Sequence, residues 1–420
     1  MLKYIFIMIL LSRSIFANEI IIEVKAGYPT PQINGKIIEE FKVLDRKFIK
    51  IETAIKDPIG FYSSLKSVNH VDYNHETSIA SAQDLSDFGK QWALTNKGNN
   101  EPVSLDRMSP LAGVIGADTN AIEAWKLEKG KKDVIIAVID TGIDLKHPEL
   151  RDNLWINRAE LNGKKGVDDD GNGYIDDIHG MDFVGKGDSD PTDENGHGTH
   201  CAGIIGADHK TGRMAGIMEN VQLMAVRHLN KRGAGKLDGA IKAIGYAIKA
   251  GAHILSNSWG SRGHSDIINS LLIDAEKKGI IVVAAAGNSR FNDNDTSPTY
   301  PANYDGASVI SVSSMNAQAR HAAYSSYGKK TVHVAAPGTN ILSTYIKTRR
   351  HKKGYRVLSG TSMAAPYVSG IVGLFLSHYG DQYSPLEIRN RLIKTAVKND
   401  ELTDFNVAGG YVDAYNFLKN

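Results

Sequence analysis

The run Val134–Ile139 (VIIAVI) contains no polar residue and is followed at once by a carboxylate, Asp140. A strand with no polar side chain has no face for water. It must be covered on both sides, as in a parallel sheet sandwiched between helices. The chain beyond it keeps that rhythm. Strand-like pieces at Val221–Leu229, His253–Ser256, Ile280–Ala284 and Ser308–Val312 alternate with helical stretches. In one of these Leu237, Ile241, Ile244 and Ile248 recur at helical spacing, and Asp266–Lys278 forms another. Ser384-Pro385-Leu386-Glu387 reads as a capping box with proline at the first helical position. The pattern predicts an α/β, three-layer domain with a parallel sheet. Ligands of such sheets gather beyond the carboxyl ends of the strands, so the residues just after each apolar run carry the most information.

The chain before this region differs. Met1–Ala17 has a basic start at Lys3, a short apolar run over Tyr4–Leu11 and a small residue, Ala17, at its end. That is the pattern of a secretory signal peptide, and the run is too short to span a bilayer. It predicts a secreted or cell-envelope protein with no stable membrane insertion. Lys+Arg 49 against Asp+Glu 47 gives +2, and removing Lys3 and Arg13 leaves 47 of each. No basic excess favours nucleic acid. A single cysteine, Cys201, excludes an intrachain disulfide framework. From Asn18 to about Phe88, strand-like Ile20–Val24 and Phe48–Ile51, a helix-like Asp57–Ser67 and a further strand at His70–His75 describe a small α+β unit. The polar Ser78–Lys90 reads as a linker.

Four segments place chemistry at the expected sheet edge. Asp140 ends the first core strand in Ile139-Asp140-Thr141-Gly142. His197 lies in NGHGTHCAG, Asn288 closes AAAGN after the strand at Ile280, and Ser362 sits in SGTSMAAP before an apolar helix. Taken singly these are a turn aspartate, a core histidine, a turn asparagine and a helix-capping serine. His197, His200 and Cys201 also lie at turn spacing for a metal, but the chain has no HExxH and no second cysteine for zinc. Together the four supply a hydroxyl nucleophile, an imidazole base, an orienting carboxylate and an oxyanion donor. Gly360–Ala364 half-matches a lipase-type nucleophile elbow. That fold needs the order Ser, acid, His, and Met363–Ser377, ahead of the last histidine His378, holds no acid.

IDTG, HGTHCAG, AAAGN and GTSMAAP resemble the signature segments of the subtilisin-like serine peptidases, in the HGTHC form of the thermitase and proteinase K branch, over about Gln91–Asn420. The chain order Asp140, His197, Ser362 is that of the family. The resemblance implies a serine endopeptidase acting on protein or peptide substrates, with Ser362 as nucleophile, His197 as base, Asp140 orienting it and Asn288 as oxyanion donor. It implies a groove in which Ser256, Ser258, Trp259 and Gly260 (SNSWG) pair with an extended substrate. Ala285, Ala286 and Gly287 would wall a pocket for a bulky apolar residue, Trp259 would narrow a neighbouring subsite, and specificity would be broad. It further implies that residues 18–88 are a propeptide that inhibits and is cut off by the protein itself within Ser78–Lys90. It places a free thiol at Cys201 near the histidine and a cis turn at Tyr300-Pro301, in a monomer of residues 91–420. A catalytically dead peptide binder and a protease restricted to one partner are the competing readings.

The acidic run DDDGNGYIDD adds a cation. Asp168, Asp170 and Asn172 alternate, Gly173 permits a sharp turn, and the Tyr174 carbonyl and Asp176 follow. This is the first half of an EF-hand spacing, and His179 stands where the closing Glu belongs, so the expectation is a structural Ca²⁺ site rather than an EF-hand. Asp188, Asp190 and Asp193 form a second, weaker candidate.

Overall fold

The structure, a computed structural model, describes residues 18–74, 76–79, 83–85, 91–98, 112–185, 187–211, 214–349, 351–352 and 354–419. The predicted leader at 1–17 lies outside the described residues, as does most of the predicted cut region. The chain divides into two compact units, Met1–Asn74 and His75–Asn420. The division falls inside the 18–88 stretch rather than at its end.

The first unit is a four-stranded antiparallel sheet in the order β2-β3-β1-β4, built from β1 (Asn18–Val24), β2 (Lys36–Val43), β3 (Arg46–Thr53) and β4 (Val68–Tyr73). Helix α1 (Pro58–Ser63) starts with the Asp57 carboxylate accepting from Gly60 N at 3.0 Å. Ile20, Ile22, Ile49, Ile51, Tyr62 and Val71 make its core. Strand β2 was not anticipated. Its sequence KIIEEFKV is mostly exposed, and charge pairing to β3, Lys47–Glu40 at 2.8 Å and Lys50–Glu39 at 3.2 Å, accompanies the ladder where apolar burial is slight.

The second unit is built on a nine-stranded sheet in the order β18-β19-β15-β14-β13-β11-β7-β9-β8. Its strands are β7 (Ile135–Asp140), β8 (Gly180–Asp182), β9 (Gln222–Arg227), β11 (Ile254–Asn257), β13 (Ile281–Ala285), β14 (Val309–Met315), β15 (Val334–Pro337), β18 (Val397–Lys398) and β19 (Gly410–Tyr411). Every pairing is parallel except β18 with β19. Ile136 and Val138 join the main core with Ile254, Val283 and Val312, while Ala137 and Ile139, equally buried, point the other way. Helices on both faces therefore explain the unbroken apolar run. Helix α2 (His197–Gly206) and helix α5 (Thr361–Tyr379) pack together in the main core, and α5 is buried from Thr361 to Ser377. A helix apolar all round belongs inside a domain of this size. Helices α3 (Leu237–Lys249) and α4 (Asp266–Lys277) pack against each other and carry one apolar face each.

Among the described residues of the second unit, four short strands and a hairpin lie outside the large sheet. β5 (Glu76–Ile79) runs antiparallel between β10 (Ala234–Lys236) and β12 (Trp259–Gly260). β6 (Gln83–Leu85) runs antiparallel to β17 (Tyr355–Ser359), whose other edge pairs with β16 (Ile341–Thr344).

Helix α6 (Pro385–Thr395) carries the expected capping box: Glu387 N donates to Ser384 Oγ at 3.4 Å, and Ser384 N donates to Glu387 Oε2 at 2.8 Å. Replacing Ser384 by Ala removes one side of the box. It is expected to lower unfolding free energy by about 1 kcal/mol, read as a shift of the urea midpoint with unchanged slope. An unchanged midpoint would show that the cap contributes nothing.

Candidate active site

Asp140 is fully buried at the carboxyl end of β7. Its Oδ1 accepts from Thr141 N at 2.7 Å, and the carboxylate meets His197 Nδ1 at 2.8 Å (Oδ1) and 3.0 Å (Oδ2). Two glycines make that approach possible. A Cβ on Gly198 would stand 2.2 Å from Gly142 O and 3.1 Å from Asp140 Cβ, and one on Gly142 would stand 2.3 Å from Pro191 O. Any side chain at these positions would force the start of α2 away from the strand end. Asp193 locks the same junction. Its Oδ1 accepts from Thr141 Oγ, Asn195 N and Gly196 N at 2.8–2.9 Å, and its Oδ2 from Thr199 N at 3.0 Å and Thr199 Oγ at 2.6 Å. Asp193 was grouped above with Asp188 and Asp190 as a weaker cation candidate. The structure corrects this, because both its oxygens are committed to the His197 turn.

Burial works against the imidazolium of His197, yet the adjacent Asp140 carboxylate outweighs it and holds the ring's pKa well above the ordinary 6.5. Among the described residues His197 Nε2 is buried with no partner. His200 does not join this site. Its Nε2 faces the carbonyls of Ile341 and Arg356, both at 3.1 Å, so it points away from His197 and Cys201 despite the turn spacing. Cys201 lies 4.0 Å from His197 Nδ1, and burial raises its pKa, which keeps it a thiol.

Ser362 is the second residue of α5, itself fully buried. Pro366 lies four residues on and has no N–H, so the Ser362 carbonyl has no helical donor. Ser258 Oγ donates to it instead at 2.9 Å and Cys201 Sγ at 3.4 Å. The missing helical bond thus becomes two ties, one to the loop beside β12 and one to the histidine helix. Ser362 Oγ donates to Ser258 O at 3.1 Å. The Asp–His half of the constellation is therefore hydrogen-bonded, while the serine hydroxyl is turned to a carbonyl beside it. Loose nucleophile geometry of this kind is common without substrate.

Asn288 follows β13. Its Oδ1 accepts from Thr361 N at 2.9 Å and Thr361 Oγ at 3.0 Å, and Thr361 Oγ accepts in turn from Gly287 N at 3.2 Å. With the oxygen end held, the amide nitrogen is the end that can donate elsewhere. Thr361 was not singled out from sequence, although its place beside Ser362 in GTS was the available signal.

The expected groove residues divide. Trp259 and Gly260 pair with β5, Ile79 opposite Trp259 and Ser78 opposite Gly260, so this edge already carries an added strand of the same chain. Trp259 also lines a small cavity with Leu237, Ile268, Tyr300 and Tyr304, which encloses about 20 Å³, roughly one water. Ser258 is taken up in holding Ser362. Ala285 packs in the main core, Ala286 is fully buried and Gly287 is tied to Thr361. Ser256 is a correction. Its hydroxyl meets Ser369 Oγ of α5 at 2.9 Å, because the two-residue strand period turns it to the core with Ile254. The Tyr300–Pro301 bond is cis.

In the acidic loop, carboxylates of Asp168, Asp170 and Glu160 lie with one oxygen each within 4.8 Å of one another. Hard oxygen donors at this spacing fit Ca²⁺ chemistry. Glu160 was missed because it comes from the preceding short helix, Arg158–Asn162. Asp176 accepts from Gly166 N at 2.9 Å, and Asn172 Oδ1 accepts from Tyr174 N at 2.7 Å, so these groups close turns within the loop.

A buried carboxylate–imidazole pair at the strand ends of a parallel sheet, with a serine and an asparagine beside it, is the arrangement of a serine hydrolase. The model of the subtilase family matches residues 131–411, and the chain belongs to that family. It is 33% identical over 319 residues to "Subtilisin-like protease 1" of Plasmodium berghei (strain Anka), covering 72% of this chain and 51% of that protein. It is 38% identical over 278 residues to "Thermophilic serine proteinase" of Bacillus sp. (strain AK1), covering 66% of this chain and 59% of that protein. With "Subtilisin-like protease 1" of Plasmodium falciparum (isolate 3D7) the match is 37% over 263 residues, 58% of this chain and 37% of that protein. The chain thus spans about half or less of the length of these Plasmodium relatives.

The Asp140 contact sets a measurable sign. In a Ser362→Ala protein the His197 ring should titrate above 6.5 by NMR, and Asp140→Asn should bring it down. A ring titrating at or below 6.5 in both would contradict the pairing.

Proposed function

We propose that this chain is a serine endopeptidase, exported by its leader and made as a zymogen that cuts itself. The observation that carries the reading is the Asp140–His197 pair at 2.8 Å on the helix that also touches the Ser362 carbonyl through Cys201. In the proposed reaction Ser362 Oγ leaves the Ser258 carbonyl, gives its proton to His197 Nε2 and attacks a peptide carbonyl. Asp140 holds the ring and stabilises the imidazolium that forms. The oxyanion is met by the Asn288 amide, aimed by Thr361, and by the Ser362 N–H. His197 then protonates the leaving amine, and water releases the acyl group.

The strand pairings support self-processing. β5 lies on Trp259–Gly260 and β6 on β17, which ends three residues before Ser362. The cut then falls between Ile79 and Gln83, narrower than the Ser78–Lys90 range expected from sequence. Residues 18–79, ending in β5, act as the inhibitory propeptide until release. Specificity is broad because main-chain pairing carries no side-chain code.

Ca²⁺ is proposed as a structural ion at Glu160, Asp168 and Asp170. The cation would neutralise three carboxylates that otherwise repel one another.

Three outcomes check these readings. Ser362→Ala should abolish hydrolysis of a mixed peptide library and leave the chain uncut. Asn288→Ala should lower kcat by roughly 10²–10³ with KM little changed, whereas a large rise in KM alone would assign Asn288 to binding. Adding Ca²⁺ should raise Tm of the Ser362→Ala protein, and Glu160→Gln with Asp168→Asn should remove the increment. An equal increment in both would place the ion elsewhere.

A further inference from the structure

The hairpin joining β16 to β17 carries a feature that the reaction above does not use. Residues 347–353 read KTRRHKK, with five Lys or Arg in seven positions, in a chain whose overall charge is +2. Lys347, Arg349 and Lys352 are exposed, and among the described residues no acid forms an ion pair with any of them. Such a cluster repels itself. An anionic partner relieves that repulsion.

The base of the hairpin is hydrogen-bonded and lies against the active site. Tyr345 N donates to Gly354 O at 2.7 Å, closing the hairpin below its tip. Tyr345 OH donates at 2.8 Å to the carbonyl of Asn195, two residues before His197, and the Arg356 guanidinium stacks over the Tyr345 ring at 4.6 Å. His147 Nε2 meets Gly354 O at 2.9 Å. The cations of the tip therefore stand on a braced support that is fixed to the histidine turn.

Strand direction says what reaches them. β6 is antiparallel to β17, with Gln83 opposite Ser359, Asp84 opposite Leu358 and Leu85 opposite Val357. A chain laid on this edge enters near Ser362 and runs toward Tyr355 and the basic tip, advancing about 3.4 Å per residue. The residues that arrive at the tip are those several positions C-terminal to the scissile bond. The described residues of the chain on this path are Gln83-Asp84-Leu85, with one acid and no base.

We infer that Lys347, Arg349 and Lys352 at the tip of this hairpin form a cationic exosite that selects polypeptide substrates with acidic residues several positions C-terminal to the cut. This rests on the peptidase reading and adds a preference to an otherwise broad groove. Main-chain pairing on β17 sets the direction of the substrate, and Lys347, Arg349 and Lys352 supply the selection through charge. A charge-selective rim acts mainly on encounter, so the preference should appear in kcat/KM and fade with salt.

The test uses the purified protein and two synthetic peptides. Both carry the Glu76–Leu85 sequence, one followed by a tail rich in Asp and Glu and one by the same tail in Asn and Gln. At low salt the acidic-tailed peptide should be cut with kcat/KM about tenfold higher, through KM, and the gap should close near 0.5 M salt. The Lys347→Gln, Arg349→Gln, Lys352→Gln triple variant should cut both peptides at the rate that the unaltered protein shows on the neutral one. Equal cleavage of the two peptides by the unaltered protein would overturn the exosite and leave the peptidase reading standing. A preference that persists in the triple variant would do the same. So would a triple variant that loses only binding to anionic lipid vesicles, since the tip would then address a membrane surface. Cleavage of neither peptide would overturn both readings.

Discussion

The structure turns on a single buried carboxylate. Asp140 ends a strand with no polar side chain in its run, at zero exposure, where an isolated ionised group is costly by several kcal/mol. It is tolerable only with a backbone donor on one side and an imidazole on the other, and Thr141 N and His197 Nδ1 supply both. That requirement fixes the start of α2 against the end of β7 and explains why residues with no side chain stand at 142 and 198. It also explains the second buried acid, Asp193, which holds the turn from Asn195 to Thr199 that carries the ring to Asp140.

Ser362 is held by a complementary device. Pro366 removes one helical hydrogen bond, and the Ser362 carbonyl so released is claimed by Ser258 and Cys201. A helix defect thereby joins three elements that are far apart in sequence. Thr361, one residue before, does for Asn288 what Asp140 does for His197, engaging one end of the side chain so that the other is presented. Positioning by neighbours of the reacting groups is the common theme, and it costs less than ordering flexible side chains at the moment of reaction.

Much of this was legible in the chain. The apolar runs at Val134, Val221, Ile280 and Ser308 became β7, β9, β13 and β14 because strands covered on both faces need continuous apolar sequence. Asp140, His197, Ser362 and Asn288 were legible because each follows such a run or opens a helix. Other features left no local signal. β5 and β6 arise by pairing to an exposed strand edge, and stretches such as ETSI and QDL give no periodicity to read. β2 carries too many charges to resemble a buried strand. Ser256 was placed in the groove because a motif is read as a line, whereas alternate strand residues face opposite ways. Glu160 escaped because a cation cluster is assembled in space from a helix and a loop, and Asp193 was grouped with its sequence neighbours although its partners lie at Thr141 and Thr199.

The account's central claim is that the serine hydroxyl at position 362 is activated by the buried Asp140–His197 pair. The most direct measurement is reaction of the purified protein with a fluorophosphonate, followed by mass spectrometry of the digested adduct as a function of pH. The account predicts a single adduct, on Ser362, whose rate rises with pH through a value above 6.5 and is largely lost in Asp140→Asn. An adduct on another residue, or a Ser362 adduct formed at the same rate without the Asp140 carboxylate, would contradict it.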